Sequence, residues 1–198
     1  MGYWILRFLF IVLLKIFFRF RVEGRENLPR KTNFIVAANH ASFLDALVVG
    51  TAIGQRTYWI ASRKLYRVLW LRVFFMLIDA IPSGNASRTV VALLERNKNV
   101  GLFPEGHVTR DGRMHEFKSG AALMAIKTGR PIVPCAIIGT YEALPINGRF
   151  PKLFSPITIK IGKPKYLFKE FDEVIDDVRL QEGMMRIKKT IKELMHAC

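Results

Sequence analysis

The sequence predicts an α/β fold: one domain with a central mixed, largely buried β-sheet flanked by helices, preceded by an apolar N-terminal helix. Three observations carry that prediction. Apolar runs of strand length alternate with helical patterns along the chain. The length of 198 residues with 51% hydrophobic content suits one domain with a sizeable core. No repeat, low-complexity stretch or long linker interrupts the alternation.

The first element is the leader at residues 4–20 (WILRFLFIVLLKIFFRF). As a helix it would be roughly 25 Å long, slightly short of a bilayer core. On a helical wheel Arg7, Lys15 and Arg19 fall at about 0°, 80° and 120°, so the charges share one side and Leu, Ile and Phe cover the rest. That pattern predicts a helix lying in a membrane interface. A central Lys15 would cost a span roughly 2.5 to 3.5 kcal/mol against about 0.3 to 0.6 returned per apolar residue, although snorkelling of Arg7 and Arg19 keeps a tilted span open. A signal peptide fits poorly, because no basic residue precedes Arg7 and no small-residue cleavage site follows. The remaining alternative is a helix buried against the domain. The expected division is residues 1–22 as a membrane-interacting helix and 23–198 as the domain.

Beyond the leader, residues 33–38, 57–61, 100–103, 132–138 and 157–161 read as strands. Residues 43–52, 88–96, 120–127 and 179–195 read as helices between or after them, and near-continuous apolar strands imply a sheet covered on both faces. Residues 65–77 (LYRVLWLRVFFML) read as a further apolar helix punctuated by Arg67 and Arg72, equally suited to a membrane contact, a pocket wall or the core.

Thirty-one Lys and Arg against 16 Asp and Glu give a net charge of +15, which draws the protein towards a polyanion. With 15 Phe, an apolar leader and no recognisable DNA- or RNA-binding motif, an anionic membrane surface is the expected partner rather than nucleic acid. Two cysteines, Cys135 and Cys198, make neither a disulfide framework nor a metal-ligand set.

Two loops carry chemistry. Residues 39–45 (NHASFLD) follow one predicted strand and open a helix, a place where side chains reach ligands. His40 there has the side chain whose proton affinity suits a general base near neutrality, and Asp45 could hold its imidazole in the tautomer that leaves the other nitrogen free. Ser42 followed three residues later by Asp45 is also a capping-box-like helix start, so spacing alone leaves both readings open. About sixty residues on, 103–110 (FPEGHVTR) again follows a strand, where two strand ends can converge on one crevice. Its Pro, Glu and Gly suit a tight turn that exposes backbone N–H groups to an anion.

These two segments, with Phe117-Lys118-Ser119-Gly120-Ala121 and the strand Ile132-Val133-Pro134-Cys135, resemble in order and spacing the glycerolipid acyltransferase family that includes the 1-acylglycerol-3-phosphate acyltransferases. The resemblance spans roughly residues 30–165. It implies transfer of a fatty acyl group to a lysophospholipid-type acceptor, with acyl-CoA or acyl-acyl carrier protein as donor, no other cofactor and no metal. It also implies His40 as base, Asp45 as its orienting partner, and Glu105 and Gly106 in the acceptor site, at the cytoplasmic face of a membrane. Arg110 is the first Arg after the motif, since Val108 stands where the family usually carries one. Lys118 at a predicted helix start either holds a phosphate or is a solvated surface cation. In the middle block Ala80 stands where many lysophosphatidate enzymes have Arg, and residues 77–82 instead resemble the acyltransferase domain of bacterial 2-acylglycerophosphoethanolamine acyltransferases, which points to a head-group-bearing acceptor, whereas the family at large points to 1-acylglycerol-3-phosphate; the two acceptors stay open. The competing readings are a thioesterase using the same pair, which lacks a G-x-S-x-G elbow here, and a non-catalytic peripheral lipid-binding protein.

Overall fold

The computed structural model describes residues 2–67, 78–84, 86–167 and 177–197. Among them, seven strands form one sheet: β1 (Arg19–Glu23), β2 (Ile35–Ala38), β3 (Thr57–Ala61), β4 (Ile81–Pro82), β5 (Asn99–Leu102), β6 (Ile132–Ile138) and β7 (Pro156–Ile161). Their order is β1-β7-β6-β2-β5-β3-β4, and every neighbouring pair is parallel except β6 with β7. The helices are α1 (Gly2–Phe17), α2 (Asp45–Ile53), α3 (Ala86–Glu95), α4 (Gly120–Thr128), the short α5 (Thr140–Ala143) and α6 (Asp177–His196).

The central strand β2 is buried at all four positions, as a parallel strand covered on both faces must be. Its side chains alternate between two cores. Ile35 and Ala37 join Val90, Leu94, Ile187 and Ile191 beneath α3, α4 and α6. Val36 and Ala38 join Leu14, Val48, Ile53 and Trp59 beneath α1 and α2. Consecutive parallel strands lie to either side of β2, so β2 marks the point where the winding reverses and a crevice opens beyond the strand ends.

Five strands and four helices lie where the sequence places them, and the differences are local. The leader helix stops at Phe17, and the residues read as its end form β1, paired with β7 from Arg19 against Pro156. The junction between helix and sheet therefore sits at Phe18, not at residue 22. Alternation in Arg19-Phe20-Arg21-Val22-Glu23 is the period-two signal of a strand, and its exposure alternates accordingly. Strand β4 has two residues and α5 four, too short for any periodicity to register. Within 65–77, Leu65–Arg67 is a single 3₁₀ turn, and 68–77 lie outside the described residues.

Among the described residues no helix is long and apolar enough to cross a membrane. Helix α1 packs its inner side through Leu14, and Arg7 on that side donates from Nη2 to the carbonyl of Thr51 at the far end of α2 (3.1 Å). Its outer side exposes Trp4, Ile5, Phe8, Leu9, Leu13, Ile16 and Phe17. The solvent-facing stripe is thus apolar, and Arg7, counted from the sequence among a shared polar side, is turned inward.

Candidate active site

Strand β2 ends at Ala38, and the next residue continues its pairing with side-chain atoms: Asn39 donates from Nδ2 to the Ile137 carbonyl (2.9 Å) and accepts the Ile137 N–H at Oδ1 (2.7 Å). This bridge to β6 fixes where the chain leaves the sheet. His40 follows directly. Its Nδ1 lies 2.9 Å from Oδ2 of Asp45, and the same oxygen accepts the N–H groups of Ala41 (2.6 Å) and Ser42 (2.7 Å). An oxygen facing three donors is an acceptor, so Nδ1 carries the imidazole proton and Nε2 keeps its lone pair. Among the described residues Nε2 has no hydrogen-bond partner. Asp45 is fully buried and His40 is 17% exposed, so the carboxylate is hidden and the ring edge reaches the crevice.

One face of the ring and the His40 backbone are held as well. Phe103, which follows β5, stacks on it with centroids 3.9 Å apart and planes at 13°, and Trp59 of β3 stacks behind Phe103 at 5.5 Å. The His40 N–H donates to Oε1 of Glu105 (2.8 Å), and its carbonyl accepts the Thr109 N–H (2.9 Å). The two strand-end loops that the sequence singled out are therefore stitched together at His40.

Glu105 is buried (1% exposed), and its second oxygen accepts the His115 N–H at 2.9 Å. Burial raises its carboxyl above the usual carboxylate range, while the N–H bonds from His115 and His40 pull it back down. Gly106 adopts a φ of +73°, and a Cβ there would lie 2.7 Å from Nζ of Lys118. The Lys118 side chain thus lies across the turn, and its backbone N–H donates to the Pro104 carbonyl (2.9 Å). The left-handed backbone favours glycine at 106, and a side chain there would push the Lys118 ammonium aside.

Arg110 is exposed on the same loop, one residue after the Thr109–His40 bond; its carbonyl accepts the Tyr141 hydroxyl (3.0 Å), and its guanidinium has no partner among the described residues. The loop beyond is ordered by Asp111, whose Oδ1 accepts the Thr109 hydroxyl (2.6 Å) and the Arg113 N–H (3.0 Å) and lies 3.0 Å from Nε2 of His115. The Thr109 hydroxyl, followed by the Arg113 N–H, holds the Asp111 carboxyl well below its ordinary range. Val108 is half-buried. Asp79, beside Ala80, forms a bidentate pair with Arg56 (2.7 and 2.9 Å) next to the edge strand β4.

The structure brings His40, Asp45, Glu105, Gly106 and Lys118 into one constellation and leaves Arg110 at its rim. Sequence reading passed over Arg63 and Lys64, which follow β3 at the same end of the sheet. The strand-end rule that pointed to His40 and Glu105 applies equally there. It also missed the stack of Phe103 on His40, a contact between residues sixty-three apart that no local pattern announces.

A buried carboxylate orienting an imidazole at the strand ends of an α/β sheet is an arrangement suited to proton transfer. A family model described as Acyltransferase matches residues 19–138. The chain is 28% identical to the chloroplastic 1-acyl-sn-glycerol-3-phosphate acyltransferase BAT2 of Brassica napus over 82% of its own length and 49% of that protein. It is likewise 28% identical to the 1-acyl-sn-glycerol-3-phosphate acyltransferase of Bacillus subtilis, over 88% of this chain and 87% of that one. The chain spans about half the length of the plant relatives it matches. Its fold superimposes on the crystal structure of the 1-acyl-sn-glycerophosphate acyltransferase PlsC of Thermotoga maritima with a TM-score of 0.72, 26% identity and coverage of 92% of this chain and 75% of that one. The chain belongs to the acyltransferase family.

Proposed function

We propose that the chain transfers a fatty acyl group from a thioester donor, acyl-CoA or acyl-acyl carrier protein, to the free hydroxyl of 1-acylglycerol-3-phosphate at a membrane surface. The observation that carries this reading is the single unpartnered ring nitrogen of His40, with the other nitrogen committed to Asp45. The acceptor hydroxyl attacks the thioester carbonyl as Nε2 of His40 takes its proton. The carboxylate of Asp45 favours the imidazolium that forms. When the tetrahedral intermediate collapses, the C–S bond breaks and the imidazolium returns its proton to the leaving thiolate, giving the diacyl ester and a free thiol. Imidazole supplies all the proton transfer in this scheme, which calls for no metal ion.

Glu105 acts here through its two backbone bonds, pinning the His40 loop, rather than by touching the acceptor. Lys118, Arg110, Arg63 and Lys64 supply positive charge around the crevice for an anionic acceptor. The names of the Brassica and Bacillus relatives support the phosphate-bearing acceptor. A lysophospholipid that keeps its head group is the second reading, favoured by Val108 and Ala80 at two positions where a cation would grip a monoester phosphate. The outer face of α1 lies in the interface of the membrane, at its cytoplasmic face, where the acceptor resides.

The test is purified enzyme given one labelled acyl donor with each acceptor. Diacyl product that disappears in a folded His40→Ala variant supports the transferase. Free fatty acid as the main product would favour a thioesterase, and no turnover with retained vesicle binding a lipid-binding protein. Strong preference for lysophosphatidic acid would sink the second acceptor.

A further inference from the structure

The loop between α5 and β7 carries an exposed apolar tip that the acyl-transfer site does not use. Residues 147–154 are all exposed, with Phe150 at 83% and Phe154 at 63%, and Leu153 stands beside them. The tip is nevertheless tied down. The Lys152 N–H donates to the Ala143 carbonyl (2.7 Å), the Gly148 N–H to the Pro145 carbonyl (2.8 Å) and the Phe154 N–H to the Phe17 carbonyl at the end of α1 (2.6 Å). Phe154 itself adopts φ +63°, a left-handed backbone that bulky residues avoid and that persists only where the surroundings impose it. Three large apolar side chains held exposed on an ordered loop contribute nothing to the core, and such a patch marks a surface for contact with a partner.

The sheet register says where this tip points. Ala38 of β2 pairs with Cys135 of β6, Ile138 near the end of β6 pairs with Thr158 near the start of β7, and Pro156 pairs with Arg19. The start of β7, the end of α1 and the loop between α5 and β7 therefore lie at the end of the sheet where β2 delivers His40. The Ser42 hydroxyl donates to the Leu144 carbonyl (2.6 Å), so this loop begins against the catalytic one. The tip prolongs the exposed apolar stripe of α1 past Phe17. Exposed Lys15, Arg19, Arg149 and Lys152 flank this surface; residues 2–22 and 143–156 contain no Asp or Glu, and the exposed acids Glu23 and Glu142 adjoin them.

We propose that the 147–154 tip is a second lipid-contacting element which, beside α1, seats the His40 end of the sheet on an anionic bilayer. Apolar side chains flanked by four exposed cations, with Glu142 the nearest exposed acid on the α5 side, complement anionic head groups over an acyl layer. The proposal deepens the reading of α1 as an interfacial helix and rests on it for orientation. Two attachments on one side of the molecule fix the tilt of the crevice to the surface, which a single helix free to roll does not.

The experiment is flotation of the full chain with vesicles of phosphatidylcholine alone or mixed with phosphatidylglycerol, in Phe150→Ser/Leu153→Ser and, separately, Leu9→Ser/Leu13→Ser. The tip variant is expected to partition at least about tenfold less onto the anionic vesicles, with its thermal midpoint kept. Partition at the wild-type level overturns the tip proposal, and so does a change confined to oligomeric state, which would make the tip a contact between copies of this chain. Loss in the α1 variant alone leaves the helix reading standing and the tip refuted; loss in the tip variant alone does the reverse. Should the tip variant unfold, Phe150→Trp decides by difference against wild type: a blue-shifted emission quenched by brominated lipid supports insertion, and an unchanged emission overturns it.

Discussion

One oxygen explains why the 39–45 segment could be read two ways. Oδ2 of Asp45 accepts the Ser42 N–H, a bond that a capping box would also make, and faces Nδ1 of His40, while α2 itself starts after Leu44 with no side-chain cap. The same carboxylate oxygen serves both bonds, so spacing could not separate a helix start from an oriented imidazole; what separates them is the ring contact itself and the Phe103 stack that reaches it from another strand end. His40→Ala removes the proposed base and should lower kcat on the order of 10² to 10⁴-fold with folding retained, measured by diacyl product formation. Asp45→Asn keeps an acceptor oxygen but forfeits the charge that stabilises the imidazolium, and should cost a similar factor with little change in KM. Glu105 was legible as important and not as to how, because its two N–H donors come from residues 65 positions back and 10 ahead. Glu105→Gln replaces one accepting oxygen with a donor that meets a buried N–H, costing about 1 to 3 kcal/mol. If Glu105 pins the loop, kcat falls while KM for the acceptor barely moves; a rise in KM alone would return it to the acceptor site. Its pH signature has a definite sign. A carboxyl raised by burial gives stability that is complete below the unfolded value, near pH 4.3, and is lost as pH climbs through the folded one. The gap in thermal midpoint between wild type and Glu105→Gln should therefore narrow from about pH 4.3 upwards, as thermal unfolding across that range would record.

At the scale of elements, what the sequence disclosed is what periodicity encodes. Strands β2, β3, β5 and β6 are short apolar runs between turn residues, the mark that parallel strands inside a covered sheet leave, and β7 shows instead the alternation of a half-buried strand. Strand β1 was hidden because two arginines at alternate positions also suited a helix wheel that had just passed through Arg7 and Lys15. The turn at 104–106 was legible from its Pro and Gly, whereas the side chain lying over it was not, since Lys118 reaches it from the start of α4. Gly106→Ala tests that element. The left-handed φ of +73° costs an L residue roughly 1 to 2 kcal/mol, and the new methyl would displace the Lys118 ammonium. Acceptor KM should rise severalfold more than kcat falls, and Lys118→Ala should reproduce the KM effect without the loss of stability. Equal losses in both variants' thermal midpoints would contradict the division.

For the whole molecule the sheet sets a direction: β2, β3, β5 and β6 all end on one side, and α1 and β7 meet there. If the proposed membrane seating holds, the net charge of +15 supplies a long-range attraction to anionic lipid and the exposed apolar stripe of α1 a short-range one. Salt separates the two. The Debye length falls from about 10 Å at 0.1 M to about 3 Å at 1 M, which screens charges held in water but leaves burial of Leu and Phe intact. Wild-type binding to anionic vesicles should then drop in salt to a plateau that matches binding to neutral vesicles. Leu9→Ser/Leu13→Ser should lower that plateau, because each buried Leu is worth about 1.5 to 3 kcal/mol, and leave the salt-sensitive part in place. Binding that salt abolishes completely in the wild type would mean that charge alone holds the protein at the surface and that the apolar stripe of α1 faces something other than lipid.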